Sequence, residues 1–253
     1  MAITLFGSAP LTAEASLTGE ISGGQSVVYD NVTNITWTGD ANLLGTLENT
    51  YGYDTIVNAI IAASPTIYDN ANQYDTPANS GYHTVSTLDF SRVYNNGEVT
   101  WYGAMAFTNY LNSITYAGSN HWILPTTVDS NNSYSNSFGT NNITNTSQLA
   151  ELYYGELGAT YGQSIPLSNH FTNQLANLYW SGTEVSYSSG LSYLSWSFVT
   201  STGVQDSFAK AQNSYAWAVS AGNITAVPAP ASVWLFGSGL VGLMGWKRRG
   251  NIG

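Results

Sequence analysis

Tyr179-Trp180-Ser181, Leu194-Ser195-Trp196-Ser197-Phe198, Val204-Gln205-Asp206-Ser207-Phe208 and Tyr215-Ala216-Trp217-Ala218-Val219 follow one another late in the chain. Each shows an alternation suited to a half-buried antiparallel strand. Working back, Trp101, Ala104, Met105, Thr108, Leu111 and Ile114 recur at helical spacing and predict a helix that Thr100 opens. A further helix is predicted after Ser147, with Glu151 in its first turn, Leu149, Leu152, Tyr153 and Leu157 as its apolar face and Gly158 as its stop. Nearer the start, Gln25–Asp30 and Ile35-Thr36-Trp37 flank a turn and read as a hairpin. Asp54 is placed to cap a helix from Thr55 to Ala63, which Pro65 ends, and residues 64–97 read as a long surface excursion. Helices first and strands last make the fold class α+β, with no repeat of solenoid period.

Composition narrows the function. Of 253 residues only 8% are charged, while 13% are aromatic. All 15 acidic residues precede Val227, and Arg92 and Lys210 are the only cations there, so that stretch carries fifteen negative charges against two positive. Such a body cannot neutralise phosphates and is not a nucleic-acid partner. With no cysteine there is no disulfide, thiolate nucleophile or cysteine-ligated metal.

Candidate chemistry is sparse. His83, His121 and His170 lack any ligand spacing. Asp129 opens a polar loop that reads either as solvated or as holding a calcium ion through Asp129 and carbonyl groups, but Tyr134 and Thr140 stand where an EF-hand needs Gly and Glu. Glu151 with Glu156, or Glu184 with Asp206, could form a glycosidase pair only at a separation of about 5–10 Å. Tyr51, Tyr53, Tyr68, Tyr74 and Tyr82 lie in polar loops, where amphipathic rings either stack on glycans and proteins or pin the loops. No catalytic constellation emerges, and the chain is read as a non-enzyme without a required cofactor.

Residues 226–249 change character. Val227-Pro228-Ala229-Pro230-Ala231 precedes an apolar run from Val233 to Trp246, and Lys247-Arg248-Arg249 closes it. As a helix the run would be about 21 Å long, short against a hydrocarbon core of about 30 Å. The cations place residues 1–225 on the outer side of the inner membrane. Met1–Ala15 carries an Ala13-Glu14-Ala15 triplet but no basic start, a remnant of a signal peptide or plain coil.

The order of Pro motif, short span and basic cluster resembles a PEP-CTERM sorting tail. That resemblance implies recognition by an exosortase, a membrane protease, through Val227, Pro228, Pro230, Lys247, Arg248 and Arg249, with delivery to the surface or exopolysaccharide matrix of a Gram-negative cell. Ala229 stands where Glu gives the motif its name.

The body resembles the Lcl C-terminal domain family, of unknown function. The likeness rests on Val28–Trp37, on Trp101 through Ala104-Met105-Ala106 and Tyr116-Ala117-Gly118 to Trp122-Ile123-Leu124-Pro125-Thr126, and on Tyr179–Glu184, Trp196-Ser197-Phe198 and Ala216–Val219. Its motif residues are Trp37, Trp101, Trp122, Leu124, Pro125, Trp180, Trp196 and Trp217, with Ile123 where the family usually has Arg. The resemblance implies a C-type-lectin-like fold, two main helices flanking a twisted antiparallel sheet with long loops. The familiar lectin sugar motifs and the cysteine of the related oxidases are absent.

The expected organisation is an N-terminal segment over 1–24, a domain over 25–222, a Pro/Ala linker over 223–232 and a short hydrophobic transmembrane helix with its basic stop over 233–249. The expected function is an exported surface or matrix protein, a binding or adhesion module for glycans or matrix proteins, with a filament or matrix subunit as the alternative and a polysaccharide hydrolase behind both.

Overall fold

The computed structural model describes residues 17–69, 81–93, 96–130, 133, 147–186, 191 and 193–225. The expected signal-peptide remnant, Tyr74, Tyr134, Thr140 and the whole tail from residue 226, with the hydrophobic helix expected there, lie outside the described residues.

The body is α+β. Strands β1 (Leu17–Ser22), β2 (Gln25–Asp30) and β3 (Ile35–Thr38) form a meander. Gly23 and Gly24, both at positive φ, make the two-residue turn between β1 and β2. Helices α1 (Leu43–Tyr51) and α2 (Tyr53–Ala63) follow, then a ribbon of β4 (Thr66–Tyr68) and β5 (Tyr82–Thr84), then α3 (Trp101–Ser113). The remaining strands are β6 (Trp122–Ile123), β7 (Leu178–Glu184), β8 (Leu194–Val199), β9 (Val204–Ala209) and β10 (Val219–Ala221). One sheet runs β1-β2-β3-β10-β6 and a second runs β7-β8-β9, all pairs antiparallel. Strands from opposite ends of the body therefore meet, with Trp37 opposite Val219.

The larger sheet separates two cores, which β2 shows residue by residue. Val27 joins Leu44, Ile56 and Phe107 on the helix side, while Val28 joins Trp37, Tyr153 and Trp217 on the other.

Several local readings change. Among the described residues the sheet already includes Leu17–Ser22, paired along its whole length with β2. Gly52, not Asp54, precedes the first turn of α2, and Asp54 lies inside that turn, ion-paired to Arg92. Residues 64–97 are not all surface, because Ile67, Val85 and Phe90 are buried among the helices. The helix capped by Ser147 passes after Ala150 into a π-helical turn, Glu151–Glu156, where the Glu151 carboxylate lies against Gly155. Strand β8 is buried on both faces, because Ser195 and Ser197 between the aromatics donate to the Ser181 and Asp206 carbonyls at 3.1 and 3.3 Å.

Candidate functional site

The ribbon β4–β5 has two unlike faces. Ile67 and His83 are paired and turned inward, while the next pair, Tyr68 and Tyr82, is 60% exposed at both rings, which meet edge to face at 5.4 Å. Beneath them the His83 ring stacks on Tyr102 at 3.8 Å, and its Nε2 lies 3.1 Å from both oxygens of Asp89. Asp89 also accepts from the Ser86 amide at 2.9 Å and the Thr100 hydroxyl at 2.8 Å. Burial alone would raise its carboxyl, but His83 and these hydrogen bonds outweigh burial and hold it below the usual carboxylate range.

Beside the ribbon lies a buried polar cluster. Asp69 directly follows β4, Glu184 ends β7 and Lys210 directly follows β9. Lys210 Nζ contacts Asp69 Oδ1, lies 2.6 Å from Glu184 Oε2, and sits 4.9 Å from the centre of the Trp101 ring. The Tyr102 hydroxyl donates to Asp69 Oδ2 at 2.8 Å. The lysine side chain is 1% exposed, that of Asp69 5% and that of Glu184 16%. Its backbone is pinned too, since its amide donates to Tyr193 O at 3.0 Å and its carbonyl accepts from Trp101 N at 2.9 Å. This cluster was not anticipated from sequence. The available signal was that Lys210 is the only lysine ahead of Lys247.

The residues singled out from sequence have other surroundings. Trp37, Trp101, Trp122, Trp180, Trp196 and Trp217 are all core, as are Leu124 and Pro125, and five of the six indoles donate hydrogen bonds across the fold. Ile123 is 48% exposed, so no ion pair is lost from the interior there. Asp129 is occupied: Oδ1 accepts from Trp196 Nε1, and Oδ2 accepts from the Ser186 amide and hydroxyl. Among the described residues no group of three or more His, Cys, Asp or Glu side chains could hold a metal ion.

Glu184 ends β7 and Asp206 lies in β9, with β8 between them, and Glu184 is engaged by Lys210. Burial, then Asp30, raise the Glu151 carboxyl, while burial, then Asp30, then Glu151 push Glu156 up to about 7. Glu48, in α1, is 1% exposed, and burial raises it to about 7 although the Gly97 amide donates to its Oε2 at 3.0 Å. A shallow cleft of about 530 Å³ is lined by Gly52, Tyr53, Asp54, Thr55 and Arg92, with Arg92 4.9 Å from the Tyr53 ring centre. Both cations of the body are thus tied to carboxylates, Arg92 to Asp54 and Lys210 to Asp69 and Glu184.

No helix among the described residues is long and apolar enough to cross a membrane. No curated protein and no solved structure matches the chain. A family model described as the PEP-CTERM protein-sorting motif matches residues 226–249, the stretch holding Val227, Pro228, Pro230, Lys247, Arg248 and Arg249. Signals of this kind are processed by an exosortase, a membrane protease, so the chain carries an exosortase sorting signal and is exported to the cell envelope or surface.

Proposed function

We propose that the body is a non-enzymatic binding or adhesion module of a cell-surface or exopolysaccharide-matrix protein in a Gram-negative bacterium, and that its ligand is a neutral glycan. The observation that carries this reading is the Tyr68–Tyr82 pair, two adjacent rings each 60% exposed on a ribbon whose other face is anchored by Ile67 and His83. An adjacent pair of amphipathic rings offers the apolar face that sugar rings stack against. Neutral ligands are favoured because both body cations are already paired with carboxylates. The pairing of β3 with β10, the helices ahead of the last strands and the Lcl-like tryptophan pattern support a C-type-lectin-like architecture for this module.

The test is binding of the purified chain to immobilised neutral and uronic-acid-rich polysaccharides, with the double variant Tyr68→Ala/Tyr82→Ala as control. Binding to neutral chains that the double variant loses is the expected result; equal binding by the variant would overturn the site. A structural-subunit reading has its own observation, the edge position of β1 with Ile21 71% exposed, and ordered assemblies seen by microscopy without ligand would favour it.

A further inference from the structure

We propose that Lys210 and Asp69 are joined by an intramolecular isopeptide bond, which the folded chain forms on itself with Glu184 as proton relay and the Tyr102 hydroxyl as carbonyl-oxygen donor. The amine and the carboxyl that would react are in contact, and a second carboxylate reaches the same nitrogen at 2.6 Å. The other oxygen of Asp69 is already held by Tyr102 at 2.8 Å. Trp101 walls the nitrogen, and the 1% exposure of the lysine keeps bulk water from the bond once made. A buried cation between two carboxylates is a costly device if it only stabilises the fold, since apolar residues of similar volume would commonly serve as well. It is also the only lysine ahead of the tail, so its burial cannot be chance among many.

The chemistry balances. Glu184 passes one proton from Lys210 to Asp69, which leaves a neutral amine facing a carboxylic acid. The nitrogen lone pair forms the N–C bond at Cγ while the C=O π pair moves onto Oδ2, where Tyr102 donates. Glu184 takes a second proton from nitrogen and delivers it to Oδ1, the Cγ–Oδ1 bond breaks with its electron pair, and water leaves. One ammonium and one carboxylate become one amide and one water, with no oxidant or cofactor. The bond would tie the end of β4 to the end of β9, 141 positions apart, in an exported body that has no cysteine for a disulfide. It does not depend on what the ribbon binds.

The experiment is chymotryptic mapping of the full-length chain by mass spectrometry, together with amine labelling after denaturation. The expected result is a branched peptide joining the Asp69 and Lys210 segments, lighter than their sum by one water, and a Lys210 amine that does not label. A linear, labelled Lys210 peptide with no branched product would show an ordinary ion pair and overturn the proposal. Glu184→Gln should remain unlinked while folded, and undiminished linkage there would overturn its assignment as relay. Tyr102→Phe should link about a hundredfold more slowly. Asp69→Asn should give the same branched peptide by loss of ammonia in place of water, so the proposal stays testable if Glu184→Gln does not fold.

Discussion

The indole of Trp196 donates to Asp129 Oδ1 at 2.9 Å, and this one contact changes what Asp129 is for. Its other oxygen is taken by the Ser186 amide and hydroxyl at 2.9 and 2.7 Å, so the carboxylate staples its loop to β8 and to the segment after β7. Asp129→Ala would remove the three hydrogen bonds this carboxylate accepts, at a cost of about 2–3 kcal/mol. For a body of this size that lowers Tm by about 5–10 °C. Thermal unfolding should show this loss, and adding calcium or a chelator should leave the wild-type Tm unchanged. A calcium-dependent rise would restore the ion-binding reading.

Part of this was legible in sequence and part was not, for physical reasons. Alternation found β7, β8 and β9, and helical spacing found α3 with Thr100 as its cap, because amphipathic elements print their period on the chain. The Thr100 hydroxyl does accept from the Gly103 amide at 3.2 Å. Burial of β8 on both faces left no period that separates it from a half-buried strand, since Ser195 and Ser197 satisfy their hydroxyls internally and read as polar. The ribbon β4–β5 was missed because each strand has only three residues. The Lys210 cluster was invisible for a different reason: it gathers residues 69, 102, 184 and 210, and no local pattern encodes such a meeting.

Stability should fall as pH rises toward neutrality. Glu48 is held near 7 in the folded body against an ordinary 4.5, so the folded state binds the proton more tightly than the unfolded chain. Its contribution is fully present below about 4.5 and is lost as pH climbs through about 7, a change of about 3 kcal/mol. Glu156 acts in the same direction. Glu48 Oε1 and Asn42 Oδ1 are both buried without a hydrogen-bond partner among the described residues, so a Gln side chain adds a donor where two acceptors are idle. Chemical denaturation from pH 5 to pH 8 should show Glu48→Gln with a flatter profile and higher stability than wild type at pH 8. An unchanged slope would mean that Glu48 does not carry the dependence.

Gly103 is fixed by crowding, not by backbone conformation. A Cβ there would strike a Val99 methyl and lie 2.6 Å from the Asp89 carbonyl oxygen, and both residues are held in place by backbone hydrogen bonds. Gly103→Ala should therefore cost about 3 kcal/mol or more, although alanine is the better helix former. The same change at Gly158, where φ is +63° and nothing lies within 4 Å, should cost less, about 1 kcal/mol. Equal losses in urea unfolding would contradict the crowding argument.

If the Lys210–Asp69 bond forms, unlinked protein should be markedly less stable. Closing a loop of 141 positions restricts the unfolded chain by about 5 kcal/mol, which corresponds to about 10–20 °C in Tm. Folded but unlinked Glu184→Gln should melt that much lower, while linked Asp69→Asn should melt near wild type. That comparison separates the bond from the loss of one carboxylate.

The tail prediction follows from charge. Lys247, Arg248 and Arg249 close a hydrophobic run that, at 14 residues from Val233 to Trp246, is too short to hold a membrane orientation by length alone. Cations on one side of such a run determine which side stays in the cytoplasm. Changing all three to Gln should leave the body fold intact but remove that bias, so the precursor should accumulate with residues 226–249 uncleaved. Fractionation of the host with mass analysis of each fraction checks this. The wild type should appear at the envelope or surface without its distal tail, and the triple variant should stay full length with the membranes. Normal processing of the variant would shift recognition to the Val227-Pro228-Ala229-Pro230 segment alone.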